Sequence, residues 1–513
     1  MPDPVCKVTL YHWYRLLLNS FFMGICRRDF MRCIAGGLAS SLVRGATIRP
    51  KLLVLVVLEQ LRGDVLDAMS AQFTPNGFRK ILYKGAYFPN CRHLASTFSS
   101  SALATLATGA WPAQHGIVAD SWFDRSEGVA VPASGEALQA TTLAAQVAAD
   151  DRNHAYVIGM NASQTGLFAG TSKARLFWRN PRGQFATLGE PPAWLVQFNN
   201  ARSIENSYNA RWQLLDARAG APPLRTLTYD PDHPQEFLNL YQGSPFGQEA
   251  QFELLSTLIE KEKLGQQDYT DFVCLIAGAT AVLGYETGAR DLLMQQLLLH
   301  LDRELEALLN RLSRVPGEAN FSFVLAAAHG APPAPEEAAR ARMAVNGESV
   351  AQTIDKALSG ASVGRVRRYL YPFLYLDPIA TRDPEAVRIA AGRAALDHSG
   401  VAGFYTAGGL CSTHDGWEAR FQNSFHVRRS GDVMLSYRPE YVEDYGQGRG
   451  ISYGSLYNYD ARVPLCFYGP QFRAGVYEAP VESVDVAPTL ARLLGAPEPS
   501  SSIGKVLAEA LAS

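Results

Sequence analysis

Apolar positions along this chain fall into short unbroken runs separated by stretches of helical periodicity. Leu52 to Leu58 reads LLVLVVL, without the alternation of a strand that has one wet face. A continuous run of this kind fits a strand buried on both faces of a parallel sheet. Similar runs recur at Ala155–Met160, Phe272–Ala277, Phe321–Ala327 and Pro464–Tyr468. Between them, Leu292–Leu312 and Ala386–Ala395 carry the spacing of helices with one apolar face, and Val484–Leu490 opens a last core helix ending near Leu494. Strands alternating with helices predict an α/β fold, a mostly parallel central sheet with helices on both faces. Two regions break the rhythm. Residues 161–250 are rich in Asn, Gly, Pro and Trp, and residues 335–440 are irregular apart from the strand-like YLYPFLYL at 369–376. Both are read as insertions, the first over one end of the sheet.

The N-terminus follows a different pattern. Arg27-Arg28-Asp29-Phe30-Met31-Arg32 precedes an apolar, small-residue run from Cys33 to Val43. That is the order of an export signal: basic residues, a short apolar stretch, then small residues at Gly45 and Ala46. The paired arginines resemble a twin-arginine signal, with Cys26 where Ser or Thr is usual. Residues 1–46 are therefore read as a signal and 47–513 as the working domain. Met23 offers an alternative start that would leave residues 1–22 outside the protein. The apolar stretch is about half the roughly 20 residues of a membrane span, so the expectation is a bacterial periplasmic or otherwise exported protein with no span in the mature chain.

Composition narrows the class further. The chain has 513 residues and a formal net charge of -2, so it lacks the basic field that holds a nucleic acid backbone. Cys91, Cys274, Cys411 and Cys466 lie in the body. Cys274 and Cys466 sit in apolar runs and read as small buried hydrophobes. A disulfide among the four is left open.

Five segments, in order, carry a resemblance. They are Leu55–Gln60 (LVVLEQ); Ser96–Gly109 with the following Trp111–Val118; Ala328-His329-Gly330; Tyr453–Leu465 (YGSLYNYDARVPL); and Ser483–Gly495. Together they are similar to the alkaline phosphatase superfamily, nearest the broad-specificity alkaline phosphatases allied to type I phosphodiesterases and nucleotide pyrophosphatases. The resemblance implies a three-layer α/β sandwich with inserted cap regions, and a site where two zinc ions activate a Ser or Thr nucleophile.

Position by position, the implied zinc site is altered. The first Asp falls on Glu59, one methylene longer. The nucleophile falls on Ser99, whose bland reading is a helix N-cap. An Asp-x-x-x-His pair falls on Ala281 and Tyr285, with Glu286 beside them. An Asp-His pair falls on Ala328 and His329, and a final His on Tyr453. Only Glu59 and His329 remain as ligand types; the other four positions are lost. An Asn that touches phosphate falls on Asp120, whose charge would repel a dianion. A Lys-x-Arg pair falls on Ser163 and Thr165, and the nearest bases are Lys173 and Arg175. His414 and Asp415 stand upstream of Tyr453 as a remote source of ligands.

The leading expectation is accordingly an exported, catalytically degenerate relative that binds a small ligand or an envelope protein. It would carry no cofactor, or at most a single weakly bound zinc or other divalent metal. The turn His115–Trp122 and Trp178, Trp194 and Trp212 are candidate recognition elements, against a plainer reading as core-capping aromatics. The alternatives are an active metal-dependent phosphomonoesterase or phosphodiesterase using Ser99, and a structural scaffold in the cell envelope.

Overall fold

A computed structural model describes residues 49–333, 343–377, 383–412, 416–444 and 453–512. The N-terminal signal, His414 and Asp415 lie outside the described residues. The apolar runs become the middle of one ten-stranded sheet. Its strands in chain order are β1 (Leu52–Gln60), β2 (Ala86–Arg92), β3 (His154–Gly159), β4 (Arg175–Arg179), β5 (Phe185–Thr187), β6 (Asp271–Ala277), β7 (Phe321–His329), β8 (Arg462–Tyr468) and β9 (Gly475–Val476), with Val481–Glu482 added beside β2. Across the sheet the order is β9-β2-β8-β7-β1-β6-β3-β4-β5.

β1 lies at the centre, parallel to β6 on one side and β7 on the other. All nine of its residues are buried, which is why its sequence shows no alternation. β8 carries an apolar run like the others but joins antiparallel, to β7 and to β2. A fully buried strand gives no sequence signal for its direction. Residues 161–250 contribute β4 and β5 to one end of the sheet as well as the helices around them.

The stretch YLYPFLYL forms part of a hairpin, Val366–Leu370 with Phe373–Leu376, in a separate four-stranded antiparallel sheet. That sheet carries its own apolar cluster, including Leu374, Val433 and Leu435. No helix among the described residues is long and apolar enough to cross a membrane. The four body cysteines are free thiols, three of them buried.

Parallel strands place their carboxyl ends together, and open α/β sheets hold ligands in the crevice beyond those ends. Here β1 ends in Glu59 and Gln60, and Gln60 lies in register with His329 at the end of β7. Three helices border that rim: α1 (Ser99–Thr108), α2 (Ala162–Ala169) and α3 (Ala279–Thr287).

Candidate active site

Ser99 is the first residue of α1, and Phe98 is the cap. The cap position thus belongs to Phe98 and not to Ser99, so the N-cap reading is set aside. The Ser99 Oγ stands 3.0 Å from His329 Nε2 and 3.2 Å from the Tyr453 hydroxyl, and Glu59 lies near enough for the Ser99 hydroxyl to lower its pKa. His329 Nδ1 lies 2.7 Å from the Gly330 carbonyl oxygen. A carbonyl can only accept, so Nδ1 carries the proton and the Nε2 lone pair faces Ser99. Burial holds the His329 pKa down to about 3, against the Gly330 hydrogen bond, which raises it. The ring is therefore neutral at ordinary pH.

Tyr453 fills the place of the family's final histidine. Its ring stacks on His329, centroids 3.9 Å apart, and its hydroxyl lies 3.4 Å from Asp120 Oδ2. The next residue explains the chain path. Gly454 has φ +114°, and a Cβ there would come within 2.6 Å of the Phe98 ring. Only glycine suits that position. Ser455 ties the turn down, its N–H donating to Asp460 Oδ2 (3.0 Å) and its carbonyl accepting from Thr97 Oγ1 (2.8 Å).

Two carboxyl groups face this cluster. Glu59 Oε1 accepts from Gln164 Nε2 at 2.7 Å. Burial pushes the Glu59 pKa up to about 7, with repulsion from Asp120 adding to it and the Ser99 and Gln164 hydrogen bonds opposing. Asp120 Oδ1 accepts the Ser100 N–H at 2.8 Å at the start of α1, yet burial still raises its pKa.

The shift at Glu59 has a testable sign. A raised folded-state pKa means the folded chain holds the proton more tightly than the unfolded chain. The stability this gives is complete below about pH 4.5 and is lost as pH rises through about 7. Comparison of wild type with Glu59→Gln by urea unfolding in chelator should show the wild-type advantage shrinking by about 3 kcal/mol over that window. A pH-independent difference would refute the assignment.

Other predicted residues fall elsewhere. Ala281 and Tyr285 sit on α3 and line a cavity of about 780 Å³ that also reaches Glu59 and Tyr453. Glu286 is paired with Arg225 through two hydrogen bonds, of 2.9 and 2.6 Å, so it is not a ligand in waiting. Ser163 donates to the Ala133 carbonyl and Thr165 bonds back to Asn161. Lys173 and Arg175 form ion pairs with Asp151 and Glu262. The turn His115–Trp122 is no surface recognition loop, because His115 and Trp122 are buried. Trp212 is buried and Trp194 packs on the core, as the capping reading has it, whereas Trp178 lines the 780 Å³ cavity. Sequence reasoning missed Gln164 and the contact of Tyr453 with Ser99. A lost ligand position carries no signal that its replacement stays in the site.

The profile of the type I phosphodiesterase / nucleotide pyrophosphatase family matches residues 53–448. Alkaline phosphatase PafA of Elizabethkingia meningoseptica is 24% identical over 551 residues, spanning 93% of this chain and 97% of that protein. Alkaline phosphatase PhoV of Synechococcus elongatus is 24% identical over 519 residues, spanning 90% and 93%. The crystal structure of PafA superposes with a TM-score of 0.79 at 22% identity, covering 91% of this chain and 100% of that one. Murine ectonucleotide pyrophosphatase / phosphodiesterase 5 superposes with a TM-score of 0.52 at 14% identity, covering 87% and 95%.

These relatives correct the expectation of a chain without a cofactor. Alkaline phosphatases are a metal-dependent class, typically using zinc, so a divalent metal is the starting assumption for this site. The residues present do not fit two ions: Ala281 and Ala328 supply no ligand, and the Tyr453 ring occupies space against His329. They do fit one. His329 bonds the Ser99 hydroxyl with Glu59 beside it, and Glu59 and Asp120 are buried acids whose charge a dication would offset. Among the described residues no three His, Cys, Asp or Glu side chains converge on one point, so the Ser99 hydroxyl and oxygens from solvent or substrate would complete such a set. On fold and on a sequence match across most of its length, the chain belongs to the type I phosphodiesterase / nucleotide pyrophosphatase family, within the alkaline phosphatase superfamily.

Proposed function

We propose that this protein is an exported phosphoric-ester hydrolase in which Ser99 is the nucleophile and a single divalent cation is held by Glu59 and His329. The observation that carries this reading is the convergence of His329 and Tyr453 on one buried hydroxyl, with the Glu59 carboxyl beside it. Bound there, the cation would offset phosphate charge and make the Ser99 hydroxyl more acidic.

The chain's own residues do the rest. The Gly330 carbonyl fixes the His329 tautomer, so one lone pair always faces the site. The Tyr453 hydroxyl lies within reach of an oxygen of a phosphoryl group carried on Ser99. Ser99 attacks phosphorus and the alcohol departs with the proton that the serine hydroxyl gives up; water then cleaves the seryl ester, releasing phosphate from a monoester or a phosphate monoester from a diester, and the serine is restored. Asp120 opposes a dianion at this point, which favours esters of lower charge, phosphodiesters over monoesters. The signal-like residues 1–46 support export.

A second reading, a relative that binds its ligand without turnover, is favoured by one observation: the Tyr453 ring packs on His329, the one histidine bonded to Ser99 among the described residues. Hydrolysis of aryl phosphate monoesters and diesters by the wild-type chain, absent in Ser99→Ala, supports the first reading. Absence of turnover in the zinc-supplemented wild type contradicts it.

A further inference from the structure

Past Glu59 and Tyr453 the rim opens into the cavity of about 780 Å³. Ala281 and Tyr285, at the positions of the family's Asp-x-x-x-His pair, line one part of it. Five carboxamides line it too, Asn161, Gln164, Asn180, Gln235 and Gln242, together with the half-buried ring of Trp178. Among the described residues no lysine or aspartate borders this space. Arg179 does, but its guanidinium lies over the rings of Phe185 and Tyr241, 4.3 and 5.1 Å from their centroids, and donates to the Gly183 carbonyl at 2.6 Å. Neither ring lines the cavity.

The carboxamides have hydrogen-bonding capacity to spare, and of both kinds. Gln164 Nε2 donates to Glu59 at 2.7 Å, while its Oε1 is buried with no partner among the described residues. Asn161 Oδ1 accepts the Gln164 N–H at 2.9 Å, and Asn180 Oδ1 accepts the N–H groups of Arg182 and Gln184 at 2.9 and 3.1 Å. Both asparagines are thereby left with their amide N–H groups to offer. A carboxylate or phosphate can only accept and an ammonium can only donate, whereas a hydroxyl does both. The Trp178 ring adds a flat apolar face, which suits the C–H side of a saturated ring. We propose that this cavity binds an uncharged polyhydroxyl ring, a sugar or cyclic polyol, as the alcohol of the ester cleaved at Ser99. The word "ester" rests on the hydrolase reading; the binding site does not.

The test is ligand-observed NMR titration of the full chain carrying Ser99→Ala with glucose, galactose, mannose, N-acetylglucosamine and myo-inositol, and with cyclohexanol as a ring lacking the hydroxyl array. At least one polyol should bind at millimolar concentration and at least about fivefold more tightly than cyclohexanol, roughly the worth of one net hydrogen bond. Trp178→Ala and the plug Ala281→Phe should each abolish that binding; if Trp178→Ala does not fold, Gln242→Leu takes its place and should weaken binding about fivefold. No polyol binding, equal or tighter binding of cyclohexanol, or binding that survives both changes overturns the assignment. The polyol that binds should also inhibit aryl-diester hydrolysis by the wild type competitively, and saturation without inhibition overturns its place as the ester's alcohol. Polyol binding without any ester hydrolysis leaves the cavity assignment standing and removes the hydrolase reading. Hydrolysis of aryl esters without polyol binding does the reverse.

Discussion

Ser99→Ala is expected to lower aryl-ester turnover by on the order of a thousandfold, while substrate affinity changes little. A nucleophile that forms a covalent intermediate acts mainly in the transition state, so its removal appears in kcat rather than KM. The structure gives the change a narrow meaning. Ser99 sits on a helix whose residues are almost all buried, and it makes no cap. Its loss removes the shared contact of His329 and Tyr453 without disturbing the start of α1. The fold should survive with a stability change of about 1 kcal/mol, the worth of a typical hydrogen bond. A fall in activity accompanied by general unfolding would leave the role of Ser99 undecided by kinetics, and the urea midpoint measured beside the rates excludes that outcome. A folded Ser99→Ala protein that retains wild-type turnover refutes the nucleophile assignment.

Ala328→Asp carries the second large expectation. Ala328 is fully buried at the end of β7, immediately before His329. The family places a metal-binding aspartate at this position. Restoring it adds a third anionic or imidazole ligand type to Glu59 and His329, and zinc affinity should rise by at least tenfold, roughly the loss seen when a supporting group of a metal site is removed. The metal-free variant should be less stable than wild type, because a third acid is then buried beside Glu59 and Asp120 without a counter-charge. Zinc should reverse that loss. Calorimetry for affinity and a melting curve with and without zinc check both halves. Unchanged zinc affinity in a folded variant would mean that the rim around Ser99 is not a metal site.

The fold was largely legible because burial dictates it. Leu52–Leu58, Phe272–Ala277 and Phe321–Ala327 are apolar without interruption, and each became a central strand. The antiparallel direction of β8 was not legible, since a residue buried on both faces looks the same either way. At the site, the positions of Glu59, Ser99 and His329 could be read from motif order, and the structure brings them together. What Tyr453 does there could not be read. From sequence it was one ligand lost; in the structure it stacks on the remaining histidine and touches the nucleophile. The cofactor expectation, none or at most one weakly bound divalent metal, is overturned by relatives that are alkaline phosphatases, a metal-dependent class.

The central claim is that one cation and one serine run this site. Titrating metal-free wild-type protein with zinc while following aryl-ester hydrolysis tests it most directly. The account predicts activity that rises to a plateau at one equivalent of zinc. Activity that continues to rise to two equivalents, or no hydrolysis at any ratio, would contradict it.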